Sequence, residues 1–378
     1  MTTAFHLTDA DPRDIAGLEE RWNAALSAAP YRAMSFADFV RQPAEKRRLL
    51  IGTDERAPVL PFLIGDHRHR FTFAERRLGS LPVRGLSLVN AWLAEYQTEA
   101  EVAAALHYVL MTGRCDALRI GEIPQESLLR RALGKLAWPA RSVALARKDS
   151  MRWAIDLPDS YETYLSGLSA STRQSQRRKM RKLGREHAVD LEIVTTTAQV
   201  PRFLAEGEKI SRMTYQWNVG QRLIDDAVTR ETFTRLAKEG RLRCYLMSLD
   251  GVPRAFMRGQ IDGEIYVYDT PGFDPAYGRT SIGTVLLLRA IEDLIENTGA
   301  RVFDFGTGGD ATGYKSSFGN RSVRAKSYIV VRMDRPRGAA IRLGQAVLNR
   351  TKNGLDRVAR NEELRRVIRR RIRRYGDD

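Results

Sequence analysis

Two Asp-Gly dipeptides, Asp250-Gly251 and Asp262-Gly263, divide one stretch of the chain into three apolar runs, RCYLMSLDG, VPRAFMRGQIDG and EIYVYDT. Tight hairpin turns need positive φ, so Asp-Gly between such runs is the strongest short hairpin signal. Three antiparallel strands in a meander follow. The apolar pattern Ile282, Val285, Leu286, Leu288, Ile291, Leu294 and Ile295 then predicts a helix over 281–297, closed by Gly299. RVFDFG reads as a buried strand beyond it. A strand, a crossover helix and a second strand give parallel pairing, so the sheet changes from antiparallel to parallel at EIYVYDT and RVFDFG. Adjacent parallel strands whose ends diverge leave a crevice, where open sheets bind ligands.

The elements before the meander read as a strand at MRWAIDL, a helix over 161–187, a strand at VDLEIVTT and helices over 198–215 and 225–238; a short helix over 312–318 and a strand at SYIVVRM close the series. The first half is a weaker copy of this order. It has helices over 18–28, 99–112 and 125–136 and strands at RRLLIGTD, APVLPFLIGD and ALRIGEIP. The expected architecture is α+β, with domains over 1–150 and 151–335 and a basic tail over 336–378; 378 residues exceed what one core usually fills.

Composition narrows the function. No apolar run approaches the roughly 20 residues that span a bilayer, and the acidic start MTTAFHLTDADPRD is unlike a signal peptide. Cys115 and Cys244 stand alone, which disfavours a disulfide framework or thiolate zinc site and fits a reducing cytoplasm. His6, His67, His69, His107 and His187 are scattered, and neither H-E-x-x-H nor G-x-S-x-G occurs, so metal catalysis and serine hydrolysis are set aside. The net charge of +16 is concentrated in two places. Residues 173–187 hold 7 Lys/Arg against 1 acid, and 321–378 hold 18 against 6. The remainder is close to neutral, which does not describe a coat for nucleic acid.

FDFGTGGDATGYKSSFGN, residues 303–320, superficially suggests a phosphate loop. Gly308 and Gly313 have the P-loop spacing, but Tyr314 intrudes before Lys315-Ser316 and turns the lysine by about 100°. Instead, Gly306, Gly308 and Gly309 permit close approach to a ligand, and Tyr314, at the head of the short helix, can give a proton to a leaving thiolate. The same residues also suit a tight turn with a packed Tyr314 and a surface Lys315. On the other arm, the loop through Arg279 delivers Ser281, Ile282, Gly283 and Thr284 to a helix start whose amides can hold phosphate; an ordinary capped helix is the competing reading.

LPDSYETYLSGLSASTRQSQRRKMRKLGRE and FDFGTGGDATGYKSSFG together resemble the GNAT-superfamily acetyltransferases of the CelD/BioF2-like family, more distantly related to FemABX. The resemblance runs from about Asp14 to Met333 and implies two tandem GNAT-like domains, the first degenerate. It departs from the family at Ile282 and Thr284, where the pattern Arg/Gln-x-x-Gly-x-Gly/Ala has its glycines. It implies acetyl-CoA or another acyl-CoA as cosubstrate, no metal, and N-acylation of an amino sugar in a holdfast-type exopolysaccharide or cell-envelope precursor. Arg279, Ser281, Ile282, Gly283, Thr284, Gly306 and Gly308 would face the cosubstrate. Tyr314 would act as acid, Asp310 or Asp269 as base, and Lys315 would hold the substrate or its phosphate. The alternatives are aminoacyl-tRNA-dependent transfer of the FemABX kind, which often brings a helical arm not visible over 207–250, and a non-catalytic membrane or nucleic-acid adaptor.

Two basic elements remain. Arg173, Arg177, Arg178, Lys179, Arg181 and Lys182 share one helix and are expected to receive a phosphorylated or lipid-linked acceptor, a solvated face being the alternative. In 361–375, Leu364, Val367, Ile368, Ile372 and Tyr375 recur at helical spacing among Arg365, Arg366, Arg369, Arg370, Arg373 and Arg374. This suits the anionic inner surface of a membrane or a docked helix. Arg332, Arg335 and Arg337, on a Pro-stiffened segment, are expected to clamp an anionic regulator such as a cyclic dinucleotide. The protein is then cytoplasmic, peripheral on the inner membrane face, with no specific nucleic-acid partner.

Overall fold

The computed structural model describes residues 5–29, 31, 33–52, 59–73, 76–112, 115–136, 142–146, 150–218, 221–307 and 313–358. They fall into two compact units, one comprising Met1–Ala28, Ala33–Asp149 and Lys326–Asp378, the other Ala29–Arg32 and Ser150–Ala325.

In the first unit, β1 (Phe5–Thr8), α1 (Leu18–Ser27) and α2 (Phe36–Val40) precede the antiparallel series β2 (Arg47–Gly52), β3 (Leu60–Phe73) and β4 (Arg76–Leu88). Helix α3 (Glu99–Thr112) then crosses to β5 (Ala117–Pro124), parallel to β4 from Gly85↔Ala117 to Leu88↔Ile120. Then come α4 (Leu128–Lys135) and β6 (Ser142–Ala146). A core of Leu50, Phe62, Leu106, Leu118 and Leu129 lies under α3 and α4.

The second unit repeats the plan. After β7 (Ser150–Asp156), α5 (Tyr161–Gly167) and α6 (Ala170–Glu186), strand β8 (Val189–Val194) leads through α7 (Val200–Met213), α8 (Tyr215–Asn218) and α9 (Ala227–Lys238) to β9 (Cys244–Leu249), β10 (Val252–Asp262) and β11 (Ile265–Phe273). These four strands pair antiparallel in the order β8, β9, β10, β11. Helix α10 (Ile282–Asn297) crosses to β12 (Val302–Thr307), parallel to β11, and α11 (Tyr314–Phe318) precedes β13 (Arg321–Arg332). Strand β7 pairs with both β12 and the 321–325 end of β13. One face of the sheet packs Tyr245, Met257, Tyr266 and Phe303 against α10; the other packs Cys244, Leu246 and Phe256 against Phe203 of α7 and Phe233 of α9. The mixed α+β architecture is as the sequence predicts.

Several boundaries differ from expectation. The single helix over 161–187 is two, because Ser169 accepts from Thr172 N at 3.2 Å and starts α6 afresh. Strand β4 is unexpected: Gly79, Pro82 and Gly85 argue against a strand, but Pro82 pairs with Arg68 where β4 has no β5 partner, so its missing N–H breaks no ladder. The second unit ends at Ala325 rather than at 335. Part of the expected tail is α12 (Pro336–Val358), belonging to the first unit, where Ile341 packs with Val83, Ala117, Ile329 and Val331.

Candidate active site

The parallel pair β11–β12 stays in register only over Ile265↔Val302, Tyr266↔Phe303 and Val267↔Asp304, although β11 runs on to Phe273 and β12 to Thr307. The separation has a local cause. Along β10 the register passes from Arg258↔Thr270 to Gly259↔Tyr268, leaving Asp269 as the extra residue of a bulge. A bulge increases twist and bends its strand, which carries β11 away from β12. The backbone beyond Val267 thereby has no paired β12 neighbour.

The β12 wall is held rigidly. Arg152 donates from Nε to Asp304 Oδ1 at 2.9 Å, and its Nη2 also pairs with Asp304 Oδ2. Asp304 is fully buried, and the Arg152 guanidinium lies 4.3 Å from the centre of the Tyr31 ring. The same Oδ1 accepts from Gly306 N at 2.9 Å, and Gly306 has φ of 68°, which a side chain would strain. Sequence reasoning missed this pair. Its one trace is a charge at an alternate position of each of two apolar strands.

At the other wall, Ser281 has φ 62° and ψ 27° and gives α10 no side-chain cap. The amides of Ile282 and Gly283 therefore begin the helix without a bond from Ser281 Oγ, as an anion site requires. Ile282, at the position of a family glycine, is fully buried in the core beneath the helix, so its side chain does not cover these amides. Gly283 sits close to Phe273: a Cβ there would lie 3.0 Å from its ring, so the ring would have to shift. Thr284 N donates to Ser281 O at 3.0 Å within the first turn. Arg279 is exposed on the preceding 3-10 turn. The first unit differs at the matching place. There Glu101 accepts from Thr98 N at 2.8 Å, a capping box that puts a carboxylate on the start of α3. That carboxylate would repel a phosphate, and the start of α10 carries no such group on its cap residue.

Tyr314 begins α11 after Gly313, and its phenol lies 3.3 Å from that of Tyr268 on β11. Burial, and then the neighbouring Tyr314, hold the Tyr268 phenol well above the usual tyrosine range, so it stays protonated at working pH. The Phe305 ring lies edge-on to Tyr314 at 6.1 Å, fixing its plane. Lys315, expected at the substrate, is buried and donates from Nζ to Phe305 O at 3.1 Å, bracing β12. Asp269 forms an ion pair with Arg258 at 2.9 Å. Asp310 and Gly308 lie outside the described residues.

On α6, Arg177, Arg178 and Arg181 are exposed, with Arg181 Nε donating to Arg177 O at 3.3 Å. Arg173 behaves differently, since its Nη1 donates to Leu165 O at 3.4 Å and Ser166 O at 3.1 Å, closing the end of α5. Among the residues expected to clamp a regulator, Arg332 lies in β13 and pairs with Asp334 at 2.6 Å, while Arg337 lies 3.6 Å from Asp116. They stand at a strand-to-helix junction with acidic partners, not on an open linker. Arg335 is exposed beside them, and Arg365, Arg366, Arg369 and Arg370 lie outside the described residues.

The sheet thus parts at a bulge, with an uncapped helix start on one side and a phenol on the other. Residues 170–316, within the second unit, match the family model described as an acetyltransferase (GNAT) domain. No curated protein matches the sequence. Among solved structures, FemX has 11% identity and a TM-score of 0.54, covering 82% of this chain and 95% of its own. The C-terminal domain (DUF2156) assigned to a lysylphosphatidylglycerol synthetase of Agrobacterium fabrum has 14% identity and a TM-score of 0.50, covering 90% of this chain and 98% of its own. At these identities the likeness concerns the fold.

Proposed function

We propose that the second unit is an acyl-CoA-dependent N-acyltransferase, with acetyl-CoA as the simplest donor and an amino sugar of an exopolysaccharide or cell-envelope precursor as acceptor. The observation that carries this reading is the loss of β11–β12 pairing beyond Val267↔Asp304, directly between the α10 start and Tyr314. The amides of Ile282 and Gly283, with Arg279 beside them, would hold the donor's pyrophosphate. Backbone N–H groups on the freed part of β11 would bind the carbonyl oxygen as negative charge develops there. The amine forms the new C–N bond while the C–S bond breaks, and Tyr314 gives its proton to the departing sulfur. The proton lost by the amine passes to Asp310, or to Asp269 once that carboxylate parts from Arg258. Tyr268 can then hydrogen-bond to the Tyr314 oxygen.

The exposed α6 arginines are the proposed acceptor surface, since Arg177, Arg178 and Arg181 are not consumed in core packing. The test is release of free thiol from acetyl-CoA in the presence of candidate amino sugars and their nucleotide- or lipid-linked forms. No acceptor-dependent release from any acyl-CoA, by a folded protein, would overturn the reading. The fold shared with FemX and the lysylphosphatidylglycerol synthetase domain supports a second reading, transfer from aminoacyl-tRNA. Coenzyme A binding without tRNA binding decides for the first, and the reverse for the second.

A further inference from the structure

Helix α12 has two contrasting faces. Its inner face buries Ile341 completely and lays Gly344 against Phe71, whose ring a Cβ there would meet at 2.6 Å. Its outer face carries Leu343, 68% exposed, and Val347, 55% exposed, one turn apart, with Ala340 and Thr351 exposed on the same stripe. These two side chains contribute nothing to the first unit's core. Leu78 adds a third exposed apolar group at 62%. It is the unpaired residue where the β3–β4 register passes from Phe71↔Gly79 to Thr72↔Arg77, close to the ring that meets Gly344.

The charge around this stripe is one-sided. Within 336–358 there are five Lys/Arg and one Asp, and the exposed Arg342 and Arg350 flank Leu343 and Val347. The sequence beyond repeats the combination, with apolar residues at helical spacing among the arginines of 361–375. Among the described residues no helix is long and apolar enough to cross a membrane, so contact with lipid would be at the surface.

We propose that the outer face of α12 docks on an anionic phospholipid bilayer, with Leu343 and Val347 entering the headgroup boundary and Arg342 and Arg350 meeting lipid phosphates. Charge selects this occupant. A second copy would set one basic helix against another, and a nucleic acid would make no use of the apolar pair, whereas a bilayer satisfies both features. This inference is independent of the acyltransfer reading and stands or falls without it.

The experiment is co-sedimentation of the full chain with phosphatidylcholine vesicles, with and without phosphatidylglycerol. The full chain should bind only the anionic vesicles. The pair Leu343→Glu and Val347→Glu, at exposed positions and with an unchanged unfolding temperature, should weaken binding about tenfold or more. Arg342→Gln with Arg350→Gln should weaken it in a salt-dependent way. Absence of binding to anionic vesicles, equal binding to neutral ones, or full binding by the Glu pair would each overturn the proposal. So would a dimer, detected by light scattering, that the Glu pair dissociates.

Discussion

The phenols of Tyr268 and Tyr314, 3.3 Å apart, sit where β11 and β12 part, and of the two only Tyr314 stands at the head of a helix. Tyr314→Phe should lower kcat by roughly 100-fold, the usual scale for losing a general acid, with the affinity for coenzyme A unchanged. Near-normal turnover with a working acceptor would show that the Tyr314 ring merely packs. The buried pair beneath makes a different prediction. Asp304→Asn leaves the Arg152 charge enclosed and should cost about 3–5 kcal/mol of stability, while Arg152→Met with Asp304→Leu should recover much of that loss. Chemical denaturation measures both; equal stability of the single variant and the parent would contradict this account. Tyr314 was legible in the sequence because the glycines and its neighbouring lysine are local to it. Asp304 was not, since its partner is 152 residues away and nothing in spacing joins them. Lys315 shows the converse limit: its position was legible, but the Phe305 carbonyl that receives it depends on the fold.

Among the elements, those with complete local instructions were read correctly. The turns at Asp250-Gly251 and Asp262-Gly263 fix the meander, and Asp250, Gly251 and Gly263 all have positive φ. Helix α3 and strand β5 fall at the expected bounds. Strand β4 was missed because it tolerates Pro82 only through its unpaired edge, a property of the neighbours rather than of the strand. Helix α6 divides its arginines by contact. Arg177→Gln with Arg181→Gln should raise the acceptor's KM several-fold, since contacts made by exposed charges are each worth about 0.2–1 kcal/mol, and leave that of acyl-CoA alone. Arg173→Ala should instead lower the unfolding temperature, because it removes the donor that closes α5. If Arg173→Ala changes only the acceptor's KM, or the other pair changes only stability, these assignments are reversed.

At the scale of the whole molecule, one succession of elements occurs twice, an antiparallel series followed by a crossover helix and a parallel strand, with different helix starts. Glu101 closes the start of α3, whereas the start of α10 has no side-chain cap and a glycine packed on Phe273. Of the two crossover helices, α10 alone starts without a side-chain cap, so the chain should bind one acyl-CoA. The full chain titrated with coenzyme A in a calorimeter, with its unfolding temperature followed in parallel, tests this directly. One site per chain is predicted, with stabilisation of about 2.7 kcal/mol when the ligand reaches 100 times its Kd. Gly283→Ala should weaken that binding by displacing the Phe273 ring or the helix start. No heat and no thermal shift at millimolar coenzyme A would contradict the account, as would unchanged affinity in the Gly283→Ala protein.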